Sequence, residues 1–297
     1  MNVRHLTTIG LIVAAMPAAA QQSAHVDVNQ IDSIIRRNVA EKQIVGVSVG
    51  IMQNGQIVFA RGYGVANVAS SAPVTPRTMF AIGSVTKQFT CSSLLMLQEQ
   101  KKLSVDDPLS KYYPQLTRAR EITLKDLGGH LSGYRDYYPL DYVDREMAKA
   151  EPADTIIMRY ATRPLDFDPR SRWSYSNTGF LILGRVIEKV SGEPIGSFFQ
   201  AHIFTPLRLE RTKYEPAPNG TDMATGYTSF GLSDPIPAVP EAKGWAGAAG
   251  AIWSPPTDRL TWDRSLLEHT LISPASYAVL TTPWRLTDGR SSGYGCG

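Results

Sequence analysis

The order of the sequence patterns predicts an α+β fold, in which an antiparallel sheet is flanked by helices and interrupted by a mainly helical insert. Residues 27–43 repeat isoleucine and valine at helical spacing, which predicts a first helix. Within residues 45–63, apolar side chains occupy every second position before Asn54-Gly55 and an apolar run follows it, which predicts a β-hairpin with a tight turn. Residues from about 103 to 240 read mostly as helices and long loops, so we expect the insert there.

Three further elements complete the expected core. A stretch that begins near Ser84 is apolar on most of its faces and predicts a buried helix. Residues 178–190 predict a helix that ends at Gly192, because glycine commonly terminates helices. Near residue 244 the composition changes to small residues, and a last helix is predicted around 257–267.

The composition excludes some classes of protein. The 297 residues are 43% hydrophobic and 19% charged, with a formal net charge of +3, which is ordinary for a globular chain. The small charge and the lack of a basic run give no reason to expect nucleic acid as a partner. Histidines and cysteines do not cluster at metal-ligand spacing, so we expect neither a metal nor another cofactor.

The chain contains two cysteines, Cys91 and Cys296. Cys91 lies in the apolar helix, where it is predicted to pack as a small hydrophobic side chain. With so few cysteines, the fold is expected to depend on its core rather than on cross-links.

The N-terminus has the three parts of a secretory signal peptide. Residues 1–20 run from a basic start through an apolar middle to a small-residue end, which predicts cleavage after Ala20. The apolar run is too short to span a bilayer comfortably. We therefore expect a periplasmic or secreted protein with no stable membrane span, whose folded domain comprises residues 26–297.

Two serine motifs are candidates for nucleophilic chemistry. Residues 46–50 match G-x-S-x-G, but the nucleophile elbow of that pattern needs a strand, a sharp turn and a helix. Ser48 has strand patterns on both sides, so it is interpreted as a strand residue. Ser84 and Lys87 form S-x-x-K at the start of the apolar helix, which places both side chains on one side of the first turn.

The position of S-x-x-K suits acyl transfer. The unpaired N–H groups at a helix start stabilise negative charge that develops near Ser84. A serine hydroxyl needs a base to become a nucleophile, and burial lowers the pKa of a lysine, so Lys87 could take the proton. The residues alone leave a second interpretation open, in which Ser84 caps the helix and Lys87 lies on the surface.

Residues 173–177, WSYSN, precede the helix predicted at 178–190. In an extended segment, Tyr175 and Asn177 point to the same side. A tyrosine near a lysine can shuttle protons, and an asparagine offers both a donor and an acceptor to a substrate amide. Taken alone, these residues favour the alternative of aromatic packing with Asn177 as a helix cap.

Together these segments resemble the penicillin-recognising serine hydrolases: class C β-lactamases, D-alanyl-D-alanine peptidases and related esterases. S-x-x-K followed by Y-x-N is typical of that family. The resemblance extends to ITLKDLGGHLSGYRDY at 122–137, to residues 174–212 and to AGAAGAIWSPPTDRLTW at 246–262, although Ala248-Ala249 partly replace the usual paired glycines. It covers almost all of residues 28–297 and implies the β-lactamase/transpeptidase-like fold.

The resemblance also implies a role for each candidate residue. Ser84 would be the acylated nucleophile and one oxyanion donor through its backbone N–H, and Lys87 would be its proton partner. Tyr175 would assist proton transfer, while Asn177 would hold the substrate amide and orient Lys87. His130 matches a position that looks structural in the family.

The implied function is that of an exported serine hydrolase that forms an acyl-enzyme. Its partner would be a small-molecule substrate, namely a β-lactam, a D-alanyl peptide or an ester. The alternative is a non-hydrolytic binder or sensor of cell-wall peptides, or an inactive fragment. The sequence does not specify an oligomeric state.

The family's third motif, a Lys- or His-(Thr/Ser)-Gly on a central strand, does not occur in the sequence, which ends at Gly297. In the family this strand lines the site, provides the second oxyanion N–H and precedes further strands and a C-terminal helix. We therefore expect a truncated sequence without those C-terminal strands and helix. Loss of one oxyanion donor costs about a hundred- to a thousandfold in rate, so reduced activity is expected.

Overall fold

The computed structural model describes residues 26–138, 145–217, 220, 222–229 and 233–297. The predicted signal peptide at 1–20 lies outside the described residues. The helices are α1 (Val28–Glu41), α2 (Thr86–Glu99), α3 (Leu124–Gly128), α4 (Ala153–Ala161), α5 (Asn177–Ser191), α6 (Ile195–Phe199), α7 (Gly247–Gly250), α8 (Pro256–Leu267) and α9 (Pro274–Thr281). The strands are β1 (Gly46–Gln53), β2 (Gln56–Asn67), β3 (Ala72–Pro73), β4 (Phe80–Ala81), β5 (Lys213–Tyr214), β6 (Tyr227–Thr228), β7 (Ile236–Pro237) and β8 (Ile252–Ser254).

The predicted hairpin is confirmed as β1 and β2, which pair antiparallel in a sheet of order β1-β2-β3. Its turn contains Asn54 and Gly55, with φ of 51° and 76°, the left-handed conformation that a tight hairpin turn requires. Ser48 lies inside β1 opposite Gly62, and its hydroxyl donates to the carbonyl of Thr75. Its interpretation as a strand residue is therefore confirmed.

A second antiparallel sheet, of order β4-β8-β5, lies beside the start of α2. Phe80 of β4 pairs with Ser254 of β8, and β4 leads directly into a 3-10 turn, Gly83–Val85, that precedes α2. The backbone N–H of Ile252 donates to the hydroxyl of Thr86, the first residue of α2. The sheet thus joins β8, which follows the small-residue segment near residue 244, to the N-terminus of α2.

The helices α2 and α5 form the centre of the core and confirm two predicted elements. Phe89 of α2 is 1% exposed and stacks on Trp262 of α8, with ring centroids 4.0 Å apart. Burial of one such side chain contributes about 1.5–3 kcal/mol to the free energy of unfolding. The helix α5 ends as predicted at Gly192, whose φ of 78° is left-handed. Both helices begin at the residues that form the candidate site.

The expected independence from cross-links is wrong, because Cys91 and Cys296 form a disulfide. Cys91 is fully buried in α2, as its apolar surroundings predicted, but the fold brings the segment after α9 against that helix. The two Cα atoms are 5.8 Å apart, within the range that a disulfide needs. The cysteines are separated by 205 residues, and a distance of that kind cannot be read from sequence spacing.

Among the described residues, no helix combines the length and the apolar content that crossing a bilayer requires.

Candidate active site

Ser84 and Lys87 stand at the entrance to α2, as their spacing predicted. Ser84 lies in the 3-10 turn and is exposed, whereas Lys87 lies in the first turn of α2 and is 1% exposed. The Lys87 ammonium donates to the Ser84 hydroxyl at 3.0 Å. The turn begins at Gly83, whose φ of 52° is left-handed and favours glycine. The structure therefore presents a serine to solvent and keeps its amine partner inside.

Tyr175 and Asn177 lie at the same place, although Tyr175 comes 91 residues after Ser84 and Asn177 comes 90 residues after Lys87. The Tyr175 hydroxyl and the Ser84 hydroxyl are 2.6 Å apart in a hydrogen bond. Asn177 is the first residue of α5, and its side-chain oxygen accepts from Lys87 at 2.7 Å. All four residues that the sequence singled out thus meet within hydrogen-bond distance.

The Lys87 amine is satisfied although it is buried. Besides Ser84 and Asn177, it donates to the backbone carbonyl of Ala249 in α7 at 2.9 Å. The rings of Tyr175 and Phe180 also flank it, with centroids 4.8 and 5.2 Å from the nitrogen. Burial lowers the pKa of Lys87 to about 7, against the attraction of Asp136, which raises it. A substantial fraction of the amine is therefore neutral near pH 7.

Asp136 is the site residue that sequence reasoning missed. Its carboxylate accepts from the backbone N–H of Asn177 at 3.0 Å and from the Asn177 side-chain amide at 3.1 and 3.3 Å. Burial raises the pKa of Asp136 above its usual value, and the N–H donors and Lys87 offset only part of that rise. Asp136 belongs to the 122–137 segment, but nothing in its spacing connects it to Tyr175 or Asn177.

His130 holds the backbone on both sides of Tyr175. Its carbonyl accepts from the N–H of Ser174 at 3.0 Å, and its ring Nδ1 accepts from the N–H of Ser176 at 3.1 Å. The His130 ring lies against the Tyr175 ring, with centroids 4.4 Å apart. Burial, together with the Lys87 charge, lowers the pKa of His130 to about 3, so the ring is neutral. This arrangement is consistent with the structural role that the sequence predicted.

Asn177 is engaged at both ends of its side-chain amide, by Lys87 and by Asp136. The geometry accounts for its predicted orientation of Lys87. Its predicted contact with a substrate amide stays a prediction. Within the described ranges, no group of three or more His, Cys, Asp or Glu residues is placed to hold a metal ion.

The exposed hydroxyl, the buried amine and the phenol form an arrangement that can transfer protons during attack on a carbonyl. Residues 31–297 match the protein-family model described as Beta-lactamase. The chain belongs to this family.

Two curated relatives of this β-lactamase-family chain have names that describe hydrolytic activity. The chain is 30% identical over 259 residues to a D-aminopeptidase of Gluconobacter oxydans (strain 621H), an alignment that covers 85% of this chain and 48% of that protein. It is 32% identical over 230 residues to a teichoic acid D-alanine hydrolase of Staphylococcus aureus, which covers 76% and 55%. The chain therefore spans about half the length of these relatives.

A solved structure confirms the predicted β-lactamase/transpeptidase-like fold. The octameric penicillin-binding protein homologue from Pyrococcus abyssi superposes with a TM-score of 0.77 at 27% sequence identity. The match covers 91% of this chain and 64% of that one. Mixed helices and antiparallel sheets are thus the fold of the family as well as of this chain.

Proposed function

We propose that this chain is an exported serine hydrolase that acts through an acyl-enzyme on Ser84. The single observation that carries the proposal is the exposed Ser84 hydroxyl, which hydrogen bonds to both Lys87 at 3.0 Å and Tyr175 at 2.6 Å. The substrates are carbonyl compounds of the β-lactam, D-alanyl or small-ester type. The two relatives named for D-aminopeptidase and D-alanine hydrolase activity support the D-aminoacyl class first.

The proton transfers follow from the contacts. The neutral form of Lys87 accepts the Ser84 proton, directly or through the Tyr175 hydroxyl, while the serine oxygen bonds to the substrate carbonyl carbon. The same proton then passes to the leaving amine or alcohol as the carbonyl re-forms, which leaves the acyl group on Ser84. A water molecule then loses a proton to the same pair while its oxygen bonds to the acyl carbon. The bond from that carbon to the Ser84 oxygen breaks, the proton passes to Ser84, and the acid is released. Lys87 and Tyr175 therefore act as a pair on one proton.

Labelling with a fluorophosphonate tests the nucleophile. The full chain is treated with the reagent and the modified peptide is located by mass spectrometry. We expect one label on Ser84, its loss in Ser84→Ala, and its retention in Ser48→Ala, a matched control because Ser48 belongs to the competing G-x-S-x-G motif. A label on another residue, or one that survives Ser84→Ala, would overturn the assignment.

Substrate turnover tests hydrolysis and separates the substrate classes. Nitrocefin, D-alanine p-nitroanilide and a p-nitrophenyl ester are compared with the wild-type chain and with Ser84→Ala. We expect turnover of at least one of them that depends on Ser84. A stable Ser84 adduct without product from any of the three would instead support a non-hydrolytic binder of cell-wall peptides.

Export is tested by expression of the full gene product. We expect a mature chain that begins at Gln21 and is recovered from the periplasm or the medium. An unprocessed N-terminus on a cytoplasmic protein would contradict this part of the proposal.

A further inference from the structure

The side chain of Asn177 lies between Lys87 and Asp136. Its oxygen accepts from the Lys87 ammonium, while its NH2 group donates to both oxygens of Asp136. The Asp136 Oδ1 atom also accepts from the backbone N–H groups of Asn177 and Tyr138, at 3.0 and 3.2 Å. These two bonds from the backbone hold the Asp136 carboxylate in place independently of the Asn177 side chain.

An ionised carboxylate only accepts hydrogen bonds, whereas an amide donates from one end and accepts at the other. Asp136 must therefore face the NH2 group, which leaves the Asn177 oxygen for the amine. In the reversed orientation the NH2 group would face the Lys87 ammonium, and the Asn177 oxygen would face the Asp136 carboxylate. Both ends would then be mismatched in a site where Lys87 is fully buried, and unmatched buried polar groups are costly.

We propose that Asp136 is a positioning residue that sets the orientation of the Asn177 amide and, through it, holds the Lys87 amine toward Ser84. The proposal rests on the function proposed above for Ser84, and it adds the residue that controls the amine. Asp136 does not contact the serine hydroxyl in this arrangement of bonds; its effect passes through one amide.

The groups around the amine make its titration a direct report on Asp136. The 3-10 turn before α2 contributes Ser84, and the loop before α5 contributes the ring of Tyr175. The start of α5 contributes the Asn177 amide, and α7 contributes the neutral carbonyl of Ala249. His130 contributes a neutral ring beside Tyr175. Attraction to Asp136 is the effect that opposes burial of Lys87, so its loss should lower the pKa of the amine further.

The test compares Asp136→Asn with Asp166→Asn in the full chain. Asp166 is a matched control because it is a carboxylate that pairs at 2.9 Å with Arg135, the residue next to Asp136, and lies outside the candidate site. The first readout is the pKa of Lys87, followed by the ε-carbon NMR signal of labelled lysine and assigned with Lys87→Met. The second is the rate at which fluorophosphonate labels Ser84 as a function of pH.

In Asp136→Asn we expect the pKa of Lys87 to fall by about one unit, because the opposite charge that raises it, one hydrogen-bonded amide away, is lost. The limiting labelling rate should fall about ten- to a hundredfold, since a displaced amine no longer faces the serine. Asp166→Asn should leave both values unchanged. A folded Asp136→Asn with the wild-type lysine pKa and rate would overturn the proposal.

A readout without substitution covers the case in which Asp136→Asn does not fold. In the wild-type chain, the carboxyl carbon of Asp136 and the side-chain amide nitrogen of Asn177 should both shift with the titration of Lys87 near pH 7. An Asp136 signal that ignores this titration would contradict the proposal. If Ser84 is never labelled in the wild type, the proposed function fails, while the NMR titrations still decide the role of Asp136.

Discussion

The two halves of the candidate site are held in place by different means. Ser84 and Lys87 are three residues apart, and one turn at the start of α2 is enough to bring them together. Tyr175 and Asn177 depend on a third segment, from which His130 holds the backbone around Tyr175 and Asp136 holds Asn177. The first half is local in sequence, and the second is assembled by tertiary contacts.

The two kinds of support determine which substitutions disturb the site. The first turn of α2 brings the backbones of Ser84 and Lys87 together wherever that helix forms, while the direction of the Lys87 amine also depends on Asn177. The Tyr175 hydroxyl reaches Ser84 only if the loop before α5 stays against His130. Substitutions in the first half should therefore change the chemistry with little loss of fold, and substitutions in the second should change both.

Lys87→Met gives the largest expected effect and breaks the first half alone. Removal of the proton acceptor should slow Ser84 labelling by about a thousandfold, within the range for general-base catalysis. The free energy of unfolding at pH 7 should change little, because a buried amine is no longer desolvated while the oxygens of Asn177 and Ala249 lose their donor. Labelling kinetics and denaturant unfolding measure the two effects.

The exposed Lys213→Met is the control for Lys87→Met, and it should keep the wild-type labelling rate.

A further check uses the dependence of stability on pH. The pKa of Lys87 is about 7 in the folded chain and 10.5 for an ordinary lysine, so the unfolded chain binds the extra proton between these pH values. The wild type should therefore gain stability relative to Lys87→Met as pH rises from 7 toward 10, and a constant difference would contradict burial of the amine.

Loss of the Cys91–Cys296 disulfide is expected to have the second largest effect, and it acts on the helix that carries the first half. The bond joins α2 to a segment 205 residues away, so its removal frees a long loop in the unfolded chain. Cys91→Ala combined with Cys296→Ala should lower the free energy of unfolding by about 2–4 kcal/mol. Reductant should destabilise the wild type and leave the double variant unchanged; equal stability of both proteins would show that the cross-link contributes nothing.

The pH dependence of Ser84 labelling reports the protonation of the Lys87 amine separately from the stability of the fold. Only neutral Lys87 can accept the serine proton, and its pKa is about 7. The rate should rise about tenfold per unit below pH 7 and level off above it, as for a single essential base. A rate that is flat between pH 5 and 8 in the folded wild type would exclude Lys87 as the acceptor.

The local half of the site was predictable from sequence for a physical reason. S-x-x-K at a helix start places both side chains on one side of the first turn, although the residues alone left open whether Lys87 is buried or lies on the surface. The hairpin and α5 were predictable likewise, since Asn54-Gly55 and Gly192 specify their own backbone conformations. The family resemblance then supplied Tyr175 and Asn177.

Contacts between distant segments could not be predicted in this way. Asp136 is an ordinary loop aspartate until the fold places it beside Asn177, and Cys91 is an ordinary core residue until Cys296 meets it. Neither partner has a sequence spacing that indicates the contact. The sequence thus specified the groups that would react with a substrate more completely than the groups that hold them.

His130→Ala is the smallest of the expected effects and tests the second half directly. It removes the acceptor for the Ser176 N–H and the ring that packs on Tyr175. A buried N–H without a partner costs about 1–3 kcal/mol, so the free energy of unfolding should fall by that amount. Labelling of Ser84 should also slow, because the loop that carries Tyr175 loses one of its two attachments to residue 130.

His130→Asn separates the two contributions, because its side-chain oxygen can replace the ring nitrogen as an acceptor. It should recover part of the stability and of the labelling rate that His130→Ala loses. The control is His202→Ala, which removes a half-buried histidine paired with Glu193. If His130→Ala lowers stability but labels Ser84 at the wild-type rate, Tyr175 is positioned without His130, and the two halves of the site are less different than the contacts indicate.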